Sequence, residues 1–415
     1  MDIFEFKLED GRVLSVESGR VARQAGGSVI VRLGDTMVLA AATSAPTEQD
    51  RDFFPLSVDY REKSYAAGKI PGGFFKREGR PSEKEVLSAR LCDRPLRPLF
   101  PEGFRDEVQV MIQVLSSDQE NDGDVLGVIG ASAALSISSI PFPTPVGAVR
   151  VGKVDGRLVA LPQFSKLESS ELNIAMAGTS DHINMVEGGA QEISEKEMIE
   201  ALAFGHETIK QIVSVIEQMK AKLGVPKLEF EPVEYDPDLV ENVTKLAEEK
   251  IKDANRIKDK VERIEALKTL KAEVNEALAE KFPESEKAIA AVMEKIEKED
   301  LRNMIISESI RSDGRGYDDI RDITAEVGLL PRTHGSALFT RGQTQALVVT
   351  TLGTKIDEQK IDDLLGESFK SFMLHYNFPP YSVGEVRPVR GPGRREIGHG
   401  ALAERACSCL MVTFI

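Results

Sequence analysis

The feature that most constrains this fold is a repeat on either side of a glycine-free middle. None of the 33 glycines in the 415 residues falls between Val225 and Asp313. Within that window Leu239, Val243, Leu246, Ile257, Val261, Ile264, Leu267, Leu270, Val274 and Leu278 recur mostly at three- and four-residue steps, with Glu and Lys between them. That is helical spacing, and Pro283 separates two of the expected helices. On both sides the chain resembles itself: GGSVIVRLGDTMVLAAATS, starting at Gly26, is echoed by HGSALFTRGQTQALVVTTLGT, starting at His334. Each reads as apolar strand, tight turn, apolar strand. Further on, Phe54–Tyr60 pairs with Phe372–Phe378, which places His375 in a strand. Glu85, Ala89, Leu91 and Arg94 likewise pair with Glu396, Gly400, Leu402 and Arg405. Matches in the same order at similar offsets point to duplicated domains.

The first copy runs on through an acidic turn (Ser117–Asp124), an apolar helix (Val125–Ile140) and a strand-like region (Val146–Leu161). It closes with a helix that Ser194 and Glu197 cap and Gly224 ends, with Ile199, Leu202, Ile209, Ile212 and Ile216 along one face. The glycines and serines within Val125–Phe142 mark a buried helix rather than a membrane span, and the N-terminus has no apolar signal core. Cys92, Cys407 and Cys409 form no disulfide framework, which fits the cytoplasm.

The net charge is −15, which excludes a uniformly basic nucleic-acid coat but not a local basic site. Residues 61–105 hold eleven Lys or Arg against six Asp or Glu, a local +5. At their centre, Phe74, Phe75, Lys76, Arg77 and Arg80 lie in a loop bounded by glycines. Phenyl rings there can stack on bases while the cations hold phosphates, or one ring can anchor the loop to the core. Arg90, Arg94 and Arg97 share a helix face; spacing alone favours a solvated face paired with Glu85 and Asp93 over a phosphate contact. In the second copy, Arg394, Arg395 and His399 stand among glycines, a pattern suited to phosphate contacts and proton donation. His182, His206, His334 and His375 read as structural. Asp118, Asp122 and Asp124 could take Mg²⁺, but Asp122-Gly123 is first a turn signal.

Together these segments closely resemble the bacterial polynucleotide phosphorylase family, the polyribonucleotide nucleotidyltransferases. The motifs that carry the likeness are FFPLSVDYREKSYAAGKIPGGFFKREGRPSEKE, ARLCDRPLRPLFPEGF, RSDGRGYDDIR, and FMLHYNFPP with RREIGHGALAERA. The resemblance implies an α+β protein in which two RNase PH-like α/β cores, the second incomplete, are joined by an all-helical domain. The expected divisions are residues 1–224, 225–310 and 311–415. It also implies a homotrimer that binds single-stranded RNA, partners in an RNA-degradation assembly, and Mg²⁺ with inorganic phosphate as co-substrate. The implied reaction is reversible phosphorolysis from the 3′ end, releasing nucleoside diphosphates. By the resemblance, Phe74, Phe75, Lys76 and Arg77 are the RNA-gripping loop, with Lys76 where Arg is more common. Arg80, Arg90, Arg94 and Arg97 line the RNA path, and Arg394, Arg395 and His399 flank the scissile bond.

The likeness stops near Ala406, where Cys407–Ile415 replace a Pro- and Leu-containing stretch. The expectation is a C-terminally truncated member without the family's Ser-rich phosphate loop, metal-binding aspartates, and KH and OB-fold modules. No metal ligand is therefore assigned, and the chain is expected to be inactive. The alternative function is a non-catalytic RNA-binding or assembly fragment. Ala346–Thr351 and Phe369–Leu374 should expose apolar faces.

Overall fold

The computed structural model describes residues 1–47, 53–230 and 234–411, with side chains to residue 408. The last four residues of the aberrant tail, and the side chain of Cys409, lie outside the described residues. Two compact units divide the chain, one of residues 1–232 with 354–415 and the other of residues 233–353. The expected third division, 311–415, is thus shared between them.

In the first unit, strands β1 (Asp2–Lys7), β2 (Val13–Ser18), β3 (Gly27–Leu33), β4 (Thr36–Ala45), β5 (Leu56–Glu62) and β6 (Glu107–Ser116) form one sheet in the order β1-β2-β3-β4-β6-β5. All neighbours are antiparallel except β5 and β6. Helix α1 (Glu83–Leu96) crosses between those two parallel strands, as such a connection requires. Helix α2 (Gly123–Ile137) is apolar all round and accordingly buried on every side from Val125 to Ile137. Strands β7 (Gly147–Val154), β8 (Arg157–Ala160), β9 (Leu172–Gly178) and β10 (Ile183–Ala190) make a second antiparallel sheet, with a single turn, α3 (Phe164–Leu167), between β8 and β9. Helix α4 (Glu195–Leu223) starts at the Ser194–Glu197 capping box and ends at Gly224, as read from sequence. Ile209, Ile212 and Ile216 are buried, but Ile199 is exposed, because Met198 and Leu202 take the positions against the core at that end of α4.

Among the described residues the α-helices of the second unit are α5 (Pro237–Asn255), α6 (Lys260–Leu278) and α7 (Glu286–Asn303), the last continued by a π-helical turn, Met304–Glu308. Their core is Leu239, Val243, Ala247, Ile251, Leu270, Val274, Leu278, Ile289, Val292 and Met293. Leu246, Val261 and Ile264 face solvent instead, and Ile257 lies in the turn before α6. Only the later part of α6 contributes to that core. Strands β11 (Ile323–Val327), β12 (Gly335–Arg341) and β13 (Thr344–Thr350) complete this unit as a three-stranded sheet.

The duplication is visible in the backbone. In β3–β4 Gly27 faces Ala42 and Leu33 faces Thr36; in β12–β13 Gly335 faces Thr350 and Arg341 faces Thr344. Both hairpins turn on a left-handed glycine, Gly34 at φ 61° and Gly342 at φ 60°. The chain then rejoins the first unit through β14 (Gln359–Asp363), β15 (Gly366–Lys370) and α8 (Arg394–Met411). His375 is not in a strand: residues 372–379 run without regular pairing. Its counterpart β5 is held by β6, and no second-copy equivalent of β6 exists among the described residues. The expected apolar exposure is present, with Leu347, Val348 and Phe369 each more than half exposed.

Candidate RNA-binding site

The loop between β5 and α1 is fixed at its base and free at its tip. At the base, Ser64 N–H donates to Glu78 Oε1 (3.2 Å) and Arg61 donates to the Gly79 carbonyl (3.0 Å). Ser82 and Glu85 form a capping box at the start of α1, and Glu85 also accepts from Glu62 N–H (2.8 Å) and pairs with Arg61 at 3.2 Å. At the tip, Phe74 is 93% exposed and Phe75 88% exposed, with ring centroids 5.5 Å apart, edge to face. Neither ring anchors the loop to the core. Lys76 holds a left-handed φ of 49° just after Gly73 at 74°. Lys76, Arg77 and Arg80 have no ion pair or hydrogen bond among the described residues, so their donors are available to an anionic ligand.

Below the loop opens a cleft of about 1240 Å³, whose lining includes Arg77, Arg80, Lys69, Lys84, Lys370 and Arg405. Acidic groups in the same wall balance these cations. Lys69 donates to the Asp363 carbonyl (2.6 Å), Lys84 meets Glu62 at 3.0 Å, and Lys370 meets Glu404 at 2.6 Å. Burial pushes the Glu62 carboxyl up despite Lys84. On the floor, Arg150 bridges Asp122 (2.7 Å) and Asp124 (2.9 Å). Burial and the neighbouring Asp122 raise the Asp124 carboxyl, whereas Asp122 titrates below the usual range because Arg150 outweighs its own burial.

The structure therefore brings Arg77 and Arg80 together with the cleft and sends the α1 arginines elsewhere. Arg90 lies against Gly398, where α1 packs on α8. Arg94 pairs with Glu187 at 2.5 Å, and Arg405 approaches the same carboxylate at 3.7 Å. All three nitrogens of Arg97 are engaged. They bond the Asp93 carboxylate (2.7 and 3.1 Å) and the carbonyls of Leu56 (2.9 Å) and Phe54 (3.3 Å). Arg97 ties the strand entry of β5 to the end of α1.

Arg394, Arg395 and His399 lie on the first turns of α8. Arg394 donates to the Val58 carbonyl (2.6 Å) and pairs with Asp59, while Arg395 is exposed. The His399 ring meets Tyr376 edge to face at 5.3 Å. None of the three lines the cleft. The carboxylates considered for Mg²⁺ are committed elsewhere. Asp118 accepts bonds from Thr36, Asp35 N–H, Glu120 N–H and Asn121, which outweigh partial burial and hold it at about 2. With Asp122 and Asp124 on Arg150, this acidic loop does not fit a metal, and no group of three or more metal-ligating side chains occurs among the described residues. No helix among them is long and apolar enough to cross a membrane.

Lys370, Arg405 and Glu187 join the cleft without any local sequence signal, since they lie far along the chain from the loop they face. His206 bonds the Thr179 carbonyl at 3.2 Å and His334 accepts from Leu352 N–H at 2.8 Å, as structural histidines do.

Comparison with known proteins repeats the duplication. The model of domain 1 of the 3′ exoribonuclease family matches residues 10–141 and again 319–413, and domain 2 of that family matches 144–208. The helical segment, residues 238–316, matches the model described as polyribonucleotide nucleotidyltransferase, RNA binding domain. Proteins named polyribonucleotide nucleotidyltransferase are similar along nearly the whole chain. The one from Heliobacterium modesticaldum is 54% identical over 98% of this chain and 57% of its own length. The one from Geotalea uraniireducens is 52% identical over 95% of this chain and 57% of its length. The one from Staphylococcus epidermidis is 54% identical over 97% of this chain and 58% of its length. The chain thus spans little more than half the length of the curated relatives it matches. With one family model covering both copies, the chain belongs to the 3′ exoribonuclease family.

Proposed function

We propose that the protein acts as a polyribonucleotide nucleotidyltransferase, degrading single-stranded RNA from its 3′ end by phosphorolysis. The observation that carries this reading is the exposed Phe74–Phe75 pair, flanked by the cations Lys76, Arg77 and Arg80, which have no ion pair or hydrogen bond among the described residues. Exposed rings can stack on any base, and the cations neutralise the intervening phosphates. Arg90, Arg94 and Arg97 would serve the RNA path only indirectly, Arg90 by packing on α8, Arg94 through its pair with Glu187 in the cleft wall and Arg97 by tying β5 to α1.

In the reaction, an oxygen of inorganic phosphate attacks the phosphorus of the terminal nucleotide. The bond from that phosphorus to the penultimate O3′ breaks, giving a nucleoside diphosphate and a shortened RNA. Arg394 and Arg395 would stabilise the added negative charge on phosphorus, and His399 would protonate the leaving O3′. The family's Mg²⁺ would supply further charge neutralisation; the described carboxylates do not fit it, and no step is assigned to it.

The reading extends to a cytoplasmic homotrimer able to join an RNA-degradation assembly, with cores at residues 1–224 and 311–415 and a helical domain at 225–310. Incubating the protein with oligoadenylate and Mg²⁺, with and without phosphate, tests the activity. ADP released only with phosphate supports phosphorolysis. RNA bound without release supports the non-catalytic reading instead.

A further inference from the structure

The last two residues of β5, Arg61 and Glu62, meet Lys84 and Glu85 at the start of α1 with their charges crossed. Arg61 Nε pairs with Glu85 at 3.2 Å, and Lys84 pairs with Glu62 at 3.0 Å. The Glu85 carboxylate also accepts from the backbone N–H of Glu62 (2.8 Å) and of Ser82 (2.7 Å). One side chain thereby holds both ends of the chain between residues 62 and 82. Glu85 is buried, and a buried carboxylate is costly unless it is paired and hydrogen-bonded; these donors meet that need.

Arg61 reaches further than the closure. A terminal nitrogen of its guanidinium donates to the Gly79 carbonyl at 3.0 Å, on the returning arm of the loop. Gly79 stands between Arg77 and Arg80, four residues after Phe75. Packing does not hold that arm, since a Cβ on Gly73 or on Gly79 would meet nothing within 4 Å. Phe74 and Phe75 meet each other edge to face and are otherwise almost wholly exposed. Their direction is therefore set by the backbone that carries them. That backbone is tied at Gly79 by Arg61 and at Glu78 by Ser64 N–H (3.2 Å).

We propose that Arg61 is a positioning residue for the RNA grip: it makes no contact with RNA, and it holds the loop tip in the direction in which Phe74 and Phe75 meet the bases. The inference rests on the RNA reading of this loop. Stacking needs ring and base in van der Waals contact, so a tip that wanders loses it. Screened attraction between charges persists over about 10 Å at 0.1 M salt, so Lys76, Arg77 and Arg80 keep most of their pull on phosphates when the tip loosens. A tip that holds the competent direction about one-tenth of the time binds about tenfold more weakly. Loss of Arg61 should therefore remove the part of the affinity that depends on the rings and leave the part that depends on salt.

The test is a cycle of variants of the whole chain, read by fluorescence anisotropy with a labelled oligouridylate over a salt series. Arg61→Met keeps the side-chain stem and removes both ties, and Kd should rise about tenfold. Arg61→Lys keeps the charge, but one ammonium cannot stand in for two nitrogens of a guanidinium, and Kd should rise about threefold. In the Phe74→Ala/Phe75→Ala background both rises should shrink below about twofold, with the slope of log Kd against log salt unchanged throughout. Arg61→Lys retains the pair with Glu85, so it carries the test if Arg61→Met does not fold. Equal losses with and without the rings are what a merely structural role predicts, and they would overturn the proposal. So would a salt slope lowered by about 0.7 in Arg61→Met, the mark of a direct phosphate contact. Affinity within about twofold of wild type in both Arg61 variants, with the ring variant weakened, would overturn this proposal alone. A ring variant that binds as tightly as wild type would overturn the RNA reading, and this proposal with it.

Discussion

Replacing Phe74 and Phe75 together by alanine separates RNA binding from folding. Both rings are almost wholly exposed, so their removal uncovers no core and leaves no cavity. The melting temperature should stay within about 1 °C, because surface changes away from packed features are near neutral. Base stacking on an aromatic ring contributes about 1–3 kcal/mol per base. Taking the low end for two adjacent rings gives about 2 kcal/mol, which corresponds to a roughly thirtyfold weaker Kd. Each single variant should account for about half of that free energy. Lys76, Arg77 and Arg80 remain, so the slope of log Kd against log salt should not change. Fluorescence anisotropy with a labelled oligouridylate over a salt series reads both quantities. Affinity within twofold of wild type would refute the stacking argument. Loss of affinity accompanied by a fall in melting temperature would show that the rings support the fold instead.

Other consequences follow from the same geometry. Arg80→Ala should weaken RNA binding and lower the salt slope by about 0.7 with no change in thermal stability, whereas Arg97→Ala should destabilise by about 1–3 kcal/mol through its lost carbonyl and Asp93 bonds; equal behaviour of the two in melting and anisotropy would refute the assignment. Gly27→Val should cost more than about 3 kcal/mol or prevent folding, because its side chain would strike the Ala134 carbonyl, while Gly335→Val, whose Cβ would meet only the Thr350 side chain, should stay within about 0.5 kcal/mol; urea titration distinguishes them, and similar losses at both sites would contradict these unequal surroundings. Asp124 is raised by burial and by Asp122, so its contribution is present below its unfolded value and is lost as pH rises through the folded value. The Asn variant, which keeps an acceptor for Arg150, should therefore gain on wild type in melting temperature between pH 4 and 8, and a constant difference would refute the sign.

Much of the fold was readable because its signals are local. The Ser194–Glu197 box, the all-apolar α2 and the paired hairpins with Gly34 and Gly342 each state their structure within a few residues. Burial within a periodic helix is less readable: Ile199, Val261 and Ile264 fit the spacing yet face solvent, since Met198 and Leu202 meet the core at that end of α4 and Leu267, Leu270, Val274 and Leu278 do so for α6. His375 reads as a strand residue because Phe372–Phe378 copies β5, but a strand needs a partner strand and that segment has none among the described residues. The site divides in the same way. The aromatic loop was legible from its glycines and cations. The engagement of Arg97 by Phe54 and Leu56, and of Arg150 by Asp122 and Asp124, depends on groups brought together only by the tertiary fold.

The central claim is that single-stranded RNA meets this protein at the tip of the β5–α1 loop. Photocrosslinking with an oligonucleotide carrying 5-iodouridine, followed by mass spectrometric mapping, reads that contact directly, because the excited base couples to aromatic rings it stacks upon. The account predicts the principal crosslinks at Phe74 and Phe75, abolished in the double alanine variant. Crosslinks concentrated on the helices α5 to α7, with none at the loop, would contradict it.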